Sequence, residues 1–283
     1  MNEDKKENIV SAVKAFVIGS TMTVPGVSGG SMAMILGEYD RLITSVNGLL
    51  NKKSFKKSVI YLALFVVFAL FGILVISKPL AILIEKHRMV IMYFFLGAIV
   101  GAVPMIIKSS TIKVSELDFK RVVISLLSIV IGALIVYSIK YLPSNMFSIS
   151  SSINLKSLIL EILGGIFLSV GFVLPGVSFS YLLVVVGLYE EILKAVNNLD
   201  IIPYIPLGIG LVLGIFLLTG ILSWAMKNKP KVTFLMIFGF LFGSIGTVFP
   251  GIPEGMIILY SVISFVIGAL VIYAISIKTI KEK

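Results

Sequence analysis

Long apolar runs separated by short charged loops make up most of this chain. Six of the runs have roughly the 17–25 residues that a helix needs to cross the hydrocarbon core of a bilayer. These predicted spans cover residues 58–84, 89–107, 121–142, 206–226, 233–249 and 256–277. Only helices and closed barrels satisfy every backbone hydrogen bond in lipid, and runs of this length are typical of helices. The pattern therefore predicts an all-α polytopic membrane protein.

Two further regions, residues 9–50 and 156–199, are apolar but interrupted. Each has an apolar arm, then the sequence Pro-Gly-Val-Ser, then a second arm that becomes polar early. In the first region Glu38 follows Ser31 by seven positions, a helical rise of roughly 10 Å against a core of about 30 Å. Because the second arm is too short to cross, both regions are predicted to be re-entrant helical hairpins whose tips lie inside the membrane.

The two interrupted regions are copies of one another. Pro25–Ser28 returns as Pro175–Ser178, and the same offset of 150 residues maps Gly37 onto Gly187. Further pairs follow along the chain: Tyr39 with Tyr189, Gly72 with Gly220, Gly97 with Gly243, Pro104 with Pro250, and Ser125–Leu134 with Ser261–Leu270. An internal duplication inside a very apolar chain is typical of transporters.

Each predicted repeat, residues 1–150 and residues 151–283, contains one hairpin and three spans. Since three crossings are an odd number, the second repeat must be inverted, and this holds also if the hairpin arms cross fully. The positive-inside rule then places both termini in the cytoplasm. The basic loops on that side are Lys52–Lys57, Lys108–Arg121, Lys227–Lys231 and the tail from Lys278. One basic segment, Glu85–Arg88, falls on the outer side and breaks the rule.

Composition narrows the class of function. Hydrophobic residues make up 58% of the 283 residues and charged residues only 13%, whereas soluble domains carry about 25% charged residues. The net charge of +10 comes from lysines between apolar runs, which indicates membrane topology rather than nucleic-acid binding. With no cysteine and one histidine, His87, no metal site or other cofactor is expected, and no catalytic motif points to an enzyme. The charged residues 1–8 do not resemble a signal peptide.

The hairpin tips are the candidate substrate-binding site. Proline ends the incoming arm, glycine allows close approach, and serine can cap the outgoing helix, whose first amides attract anions. The candidate residues are Pro25, Gly26, Val27, Ser28, Gly29, Gly30 and Ser31 at the first tip, and Pro175, Gly176, Ser178 and Ser180 at the second. Two facing tips would form one site reachable from either side. In the alternative interpretation, the Pro-Gly breaks are only kinks that help helices to pack.

Three of the charged residues within the predicted hairpins are candidates for a functional role. Arg41, about three turns beyond the first tip, can bind phosphate through its planar fork or can mark the end of an arm at the membrane surface. Glu38 is one turn from Arg41 and can pair with it. Glu161 lies in an apolar arm, where a carboxylate is expected to be functional unless it sits near the interface. Glu38 and Glu161 are therefore candidates for proton or cation coupling.

The two interrupted regions resemble the signatures of the bacterial polyprenyl-phosphate translocase family known as PopT. Val24–Gly30 with Gly37–Leu42 is similar to the first signature, and Leu174–Ser180 with Gly187–Tyr189 is similar to the second. The resemblance covers nearly the whole chain. The chain departs from the family pattern at three positions: Ser31 for threonine, Glu38 for an apolar residue and Phe179 for glycine.

The resemblance implies a flippase in the bacterial cytoplasmic membrane that returns undecaprenyl phosphate from the outer to the cytoplasmic leaflet for envelope polymer synthesis. Such a lipid needs an anion site for its head and a groove open to lipid for its tail. Helix-end sites also suit a transporter or channel for a small anion, which is the alternative function. A lipid phosphatase would need a nucleophile or base, which only Glu38, Asp40 or Glu161 could supply. A non-transporting assembly protein is disfavoured, because duplicated broken helices cost stability without a binding site to justify them.

Overall fold

The computed structural model describes residues 3–22, 27–110, 118–142, 155–197 and 202–282. In chain order the helices are α1 (Glu3–Thr21), α2 (Gly29–Ile35), α3 (Tyr39–Gly48), α4 (Phe55–Gly101), α5 (Val103–Ser109), α6 (Phe119–Ser138), α7 (Leu155–Leu168), α8 (Val170–Val173), α9 (Phe179–Val185), α10 (Tyr189–Asn197), α11 (Ile205–Asn228), α12 (Pro230–Val248) and α13 (Met256–Glu282). Short 3₁₀ turns follow α6 and precede α11. Within the described residues there is no strand, and the all-α prediction is confirmed.

Five helical segments of the described chain are long and apolar enough to cross a membrane. They are Phe55–Ser109, Phe119–Ser138, Leu155–Val173, Ile202–Asn228 and Met256–Lys278. The first has 55 residues, enough for two crossings, and it bends at His87, whose backbone angles (φ −134°, ψ 43°) are not helical. A shorter apolar helix, Pro230–Gly246, accompanies them. The chain is therefore a multi-pass membrane protein.

The helices overlap the predicted spans, but helix length alone does not show which helices cross the membrane and which belong to re-entrant hairpins. Residues 58–84 and 89–107 lie on either side of the bend at His87, and the other four predicted spans overlap α6, α11, α12 and α13. The incoming arm of the second predicted hairpin, Leu155–Val173, is itself long enough to cross a membrane. Since length does not distinguish this arm from a span, re-entrant insertion stays a prediction.

Glycines hold four helix pairs in close contact. The pairs are α1 with the first part of α4, α7 with α11, the second part of α4 with α13, and α6 with α12. A Cβ on Gly19 would overlap the backbone of Ala69, and a Cβ on Gly97 would overlap that of Phe265. In lipid there is little hydrophobic drive between helices, so close backbone approach supplies much of the packing energy. A larger residue at either glycine would push its helix pair apart.

The second part of α4 and α12 make equivalent contacts: each packs against the long helix that ends the other half of the chain. Gly97 faces Phe265 of α13, and Gly239 faces Ile129 of α6. Residues 265 and 129 differ by 136, the offset between the predicted third spans, so Gly239 takes the place of Gly97 in the second half of the chain. Two more pairs of contacts obey the same offsets: Gly101 at Ala269 with Gly243 at Ala133, and Gly268 at Phe94 with Gly132 at Met236.

These contacts set the register between the two halves. They align residue 97 with residue 239, an offset of 142. The sequence alone pairs Gly97 with Gly243, an offset of 146, and that alignment is shifted by about one helical turn. The backbone follows the same offset. Lys229 lies 142 residues after His87, has nearly the same angles (φ −135°, ψ 51°) and separates α11 from α12. The internal repeat of the sequence thus corresponds to repeated helix contacts and to a repeated break between helices, at His87 and at Lys229.

Candidate functional site

At the first tip, Ser28 begins the outgoing helix α2. Its backbone is extended (φ −94°, ψ 149°), and its Oγ accepts a hydrogen bond from the Ser31 amide at 3.1 Å, as expected for a serine N-cap. The hydroxyl oxygens of Ser28 and Ser31 lie 2.7 Å apart, and both side chains are buried beside Val27. The predicted site residues Pro25 and Gly26 lie outside the described residues.

The second tip has the same outline but no serine cap. Ser178 precedes α9 with an extended backbone (φ −89°, ψ 131°), and its side chain makes no capping bond. Gly176 adopts φ +85°, a left-handed conformation that glycine reaches without strain. Phe179 lies against Phe172 with ring centroids 4.5 Å apart, so aromatic surface replaces the glycine of the first tip. The side chain of Ser180 lies outside the described part of the chain.

The two tips touch each other. The amide of Gly176 donates hydrogen bonds to Ser31 Oγ at 2.7 Å and to Ser28 Oγ at 3.2 Å. A Cβ on Gly30 would lie only 3.3 Å from the Cα of Pro175, so the backbones of the tips are in tight contact there. The hydroxyls of the first tip therefore satisfy an amide of the second tip and join residues about 150 positions apart.

A cavity of about 440 Å³ lies beside the joined tips. Its few polar lining residues are Ser28, Tyr39, Ser178 and Thr219. The Tyr39 hydroxyl donates a 2.7 Å hydrogen bond to the carbonyl of Val173, which holds α3 against the second tip. Gly29 and Gly30, the first two residues of α2, also line the cavity, and amides of a first helical turn have no acceptor within their own helix. The cavity thus combines apolar walls with the first amides of α2.

Each outgoing helix ends in the same kind of turn. The amides of Gly37 and Glu38 bond back to carbonyls of the last turn of α2 at 3.1 and 2.8 Å. The amides of Gly187 and Leu188 repeat this pattern in α9 at 3.1 and 2.9 Å. The two glycines have φ values of 73° and 81°, as a Schellman motif requires. Both hairpins therefore turn away from the tip region by the same backbone device.

A buried polar cluster joins α1, the turn after α2, and α4. Glu38 is only 4% exposed. One of its carboxylate oxygens accepts hydrogen bonds from Ser11 Oγ and from the Tyr61 hydroxyl, both at 3.0 Å, and the other lies 3.1 Å from Lys14 Nζ. Burying a carboxylate is costly unless it is paired and hydrogen-bonded, and here it is both.

Arg41 lies beside this cluster and is bound to α1. Its guanidinium donates hydrogen bonds to Ser11 Oγ at 2.7 Å and to Asn8 Oδ1 at 2.9 Å, and it lies 3.3 Å from a carboxylate oxygen of Glu7. It also stacks over the ring of Tyr61, 4.3 Å from the ring centroid. Both terminal nitrogens of the guanidinium are therefore in contact with the chain itself.

The expected ion pair between Glu38 and Arg41 is wrong for this structure. Glu38 pairs with Lys14, and Arg41 pairs with Glu7. The physical reason is that Glu38 precedes α3 rather than forming part of it, so the two side chains do not share a helix face.

The structure separates the predicted site residues into two groups. The tip residues and the cavity form one group, and Glu38 and Arg41 with the start of α1 form the other. Ser11, which bonds to Arg41, lies ten residues before Thr21 at the tip end of α1, a distance of about 15 Å along the helix. The helix α3 connects the two groups, because Leu42, next to Arg41, lines the cavity.

The described residues of the second hairpin differ from the first at the positions of this cluster. Glu161, the other predicted coupling residue, is 5% exposed in α7. At the offset of 150 residues, the buried Leu188 stands where the first hairpin has Glu38, and the exposed Glu191 stands where it has Arg41. The structure therefore brings the two tips together, and the cluster of Glu38, Lys14 and Arg41 belongs to the first hairpin.

Comparison with known protein families decides the membership of the chain. Residues 18–258 match the VCA0040-like family, which is described as undecaprenyl phosphate translocase-like. The chain belongs to this translocase-like family. The match includes both hairpin tips and confirms the resemblance that the two interrupted regions indicate.

Two relatives of this translocase-like protein are similar over most of their length. A polyprenyl-phosphate transporter of Staphylococcus aureus (strain NCTC 8325 / PS 47) is 28% identical over 271 residues, which are 93% of this chain and 94% of the relative. A polyprenyl-phosphate transporter of Vibrio cholerae serotype O1 (strain ATCC 39315 / El Tor Inaba N16961) is 27% identical over 252 residues, 84% of this chain and 76% of the relative. No solved structure matches the chain.

Proposed function

We propose that this protein is a transporter that moves polyprenyl phosphate across the bacterial cytoplasmic membrane. Its substrate is undecaprenyl phosphate, which it returns from the outer to the inner leaflet for renewed use in envelope polymer synthesis. The observation that carries the proposal is the contact between the two tips beside a largely apolar cavity. Membership in the translocase-like family and the names of both relatives support the substrate class.

The phosphate head is held where the first tip lines the cavity. The first amides of α2, at Gly29 and Gly30, and the hydroxyls of Ser28 and Ser178 are the proposed donors there. Hydrogen bonds to an ionised group are roughly twice as strong as neutral ones, and apolar walls reduce the competition from water. A small number of donors therefore suffices to hold the head while it passes the tips.

The lipid tail lies against the apolar walls and reaches the bilayer from there. The cavity is open at its side, since the lining residues Val66 and Phe172 are 52% and 45% exposed. Such an opening lets a polyprenyl chain stay in hydrocarbon while its head crosses. A channel for a small anion has no need of exposed apolar walls beside its site, so this feature favours the lipid phosphate over the inorganic anion.

Arg41 is the proposed headgroup ligand in the first turn of α3. Its present partner Glu7 is 63% exposed, and a pair of that kind is weak. A phosphate can therefore displace the Glu7 carboxylate and take the same edge of the guanidinium. If an ion gradient drives transport, Glu38 and Glu161 are the proposed coupling groups, and their substitution by glutamine would remove the dependence on that gradient.

The reciprocal helix contacts support an architecture of two inverted repeats. The lining of the cavity includes equivalent residues from both halves, Met22 with Phe172 and Ser28 with Ser178. This is expected when a pseudo-two-fold axis in the membrane plane passes near the tips. The contact of Arg41 with α1 supports a first hairpin that returns to the side on which it enters.

Cysteine labelling tests the inversion in this chain, which has no cysteine of its own. Asn51 and Ile202 follow the first and second hairpins, and both are exposed. A cysteine at Asn51 should react with a membrane-impermeant reagent from the cytoplasmic side only, and one at Ile202 from the outer side only. Reaction of both from the same side would contradict inverted repeats.

Translocation by purified protein in sealed vesicles tests the function. An added phosphatase removes phosphate only from undecaprenyl phosphate in the outer leaflet, so protein-free vesicles keep the inner-leaflet lipid protected. The wild-type protein should expose this protected lipid. Gly30→Leu should slow exposure at least about tenfold, because its side chain would collide with the backbone of Pro175.

The matched control for this test is Gly246→Leu. A Cβ at Gly246 would meet no atom within 4 Å, so this variant should transport at the wild-type rate. If wild-type vesicles keep the inner lipid protected and instead conduct chloride or phosphate, the protein is a small-anion channel or transporter and the proposed function is wrong.

A further inference from the structure

A second cavity lies at the corner where α4 bends. It has a volume of about 800 Å³ and is bounded by the corner itself and by the first half of α13. Lys86, His87 and Arg88 line it, and all three are exposed. In the described part of the chain, no carboxylate lies within ion-pair distance of Lys86 or Arg88. The corner therefore presents two cations without an ion-pair partner among the described residues, next to one carboxylate, Glu85, which also lines the cavity.

Next to the charged corner, the cavity has an apolar wall. Ile263 and Ile267 on α13 are 47% and 48% exposed and line the cavity together with Tyr260. Ser264 Oγ donates a 2.8 Å hydrogen bond to the carbonyl of Val90, which holds α13 against the second part of α4. A cationic rim beside an apolar, lipid-facing wall fits a lipid with an anionic head, because head and chain meet different surfaces.

The positive-inside rule does not explain these charges. In the proposed topology the corner at His87 faces the outside, where lysine and arginine are depleted from short loops. Its counterpart at Lys229 in the second repeat faces the cytoplasm and is flanked by Lys227 and Lys231. Basic residues at the inner corner follow the rule, whereas those at the outer corner need another reason.

We propose that Lys86, His87 and Arg88 form an outer docking site for the phosphate head of polyprenyl phosphate before it moves to the hairpin tips, an inference that rests on the proposed function. Lys86 and Arg88 bind the phosphate oxygens by charge-assisted hydrogen bonds, and the first isoprene units lie along Ile263 and Ile267. A phosphate monoester carries about 1.5 to 2 negative charges at neutral pH, so it binds two cations better than a phosphodiester head does.

Photo-crosslinking tests this site in the full-length protein. The protein is placed in nanodiscs of phosphatidylcholine, whose head has no net charge, with a photo-crosslinking amino acid in place of Ile263. Radiolabelled undecaprenyl phosphate is the probe. The same amino acid in place of Leu270 reports ordinary lipid contact, since Leu270 is 61% exposed on the same helix but does not line the cavity.

Charge variants separate specific docking from general attraction. Lys86→Gln with Arg88→Gln should lower labelling at Ile263 about tenfold and leave labelling at Leu270 unchanged. Lys227→Gln with Lys229→Gln is the matched control, because it removes two charges from the opposite corner and should change neither label. Glu85→Gln removes the carboxylate that lines the cavity and should raise labelling at Ile263.

Two results would overturn the docking site. One is equal labelling at Ile263 and Leu270, and the other is a loss of labelling that both double variants share. Either result would show that the lipid contacts the surface of α13 without binding specifically to the charged corner. Failure of the proposed function is distinguishable, because wild-type vesicles would then show no translocation whichever positions are labelled.

Discussion

The two hairpins share a backbone plan and differ in chemistry. Each starts its outgoing helix after an extended serine and ends it at a glycine with positive φ. The first hairpin adds a buried ion pair between Glu38 and Lys14, where the second has Leu188 and Gly164. The duplicated part is therefore the path of the chain, and the polar side chains are what distinguishes the copies.

This difference separates a structural role from a binding role. The turn and the tip contact need only backbone groups, glycine and a serine hydroxyl, so they can be present without any charge. A buried ion pair is often no more stable than an apolar pair of similar volume. Since the second hairpin accepts Leu188 at the equivalent position, we infer that the first hairpin uses Glu38 and Lys14 to position Arg41 rather than to hold the fold.

Breaking the ion pair from one side should have the largest effect. Glu38→Leu leaves Lys14, whose side chain is only 18% exposed, without its carboxylate and removes the acceptor of Ser11 and Tyr61. We expect the free energy of unfolding to fall by about 3 kcal/mol. Denaturant unfolding of the purified protein in detergent measures this change.

The double variant Glu38→Leu with Lys14→Met then tests the inferred role. It replaces both charges by apolar groups, so it should recover most of the lost stability and still transport slowly. Recovery of transport together with stability would contradict a positioning role and would leave the ion pair a structural feature only.

The positions of the helices were predictable, whereas their register was not. Apolar runs and charged loops are local signals, so the bend near His87 and the later long helices follow from them. The alignment of the second span of one half with the second span of the other depends on glycines four residues apart. These are Gly97 and Gly101 in the first half and Gly239 and Gly243 in the second. Aligning a single glycine can therefore slip by one helical turn, as the pairing of Gly97 with Gly243 does.

The candidate site was predictable only in part, for a related reason. The Pro-Gly-Val-Ser breaks mark the tips because proline and glycine act locally. The partners of Glu38 are different, since Ser11 and Lys14 become neighbours only when the hairpin closes over 20 to 30 residues. No local sequence pattern predicts this contact between distant residues. The basic residue nearest to Glu38 in the sequence is Arg41, but it pairs with Glu7 and not with Glu38.

Arg41 should give the second largest effect if the first hairpin binds the head. Arg41→Ala removes hydrogen bonds to Ser11 and Asn8 as well as the proposed phosphate contact, so transport should fall about 10- to 100-fold. Arg41→Lys keeps the charge but loses the fork and should fall less. The control is Glu191→Ala at the equivalent exposed position, which should transport normally in the vesicle assay.

A change with the opposite sign sharpens this test. If Glu7 competes with the phosphate for Arg41, Glu7→Gln should increase the rate of transport at low lipid concentration by about 2- to 5-fold. A decrease would instead mean that Glu7 supports the active arrangement of Arg41, and the proposed exchange of carboxylate for phosphate would be wrong.

The smallest effects should come from the feature that both hairpins share. Gly37→Ala and Gly187→Ala each place a Cβ at positive φ, which costs about 1 kcal/mol, so the free energy of unfolding should fall by a similar small amount in both. Gly208→Ala in α11 is the control, because its Cβ would meet no atom within 4 Å and alanine favours helix. If Gly37→Ala lowers the free energy of unfolding several times more than Gly187→Ala, the Glu38 cluster and the first turn unfold as one unit. The same backbone turn would then contribute differently to stability in the two hairpins.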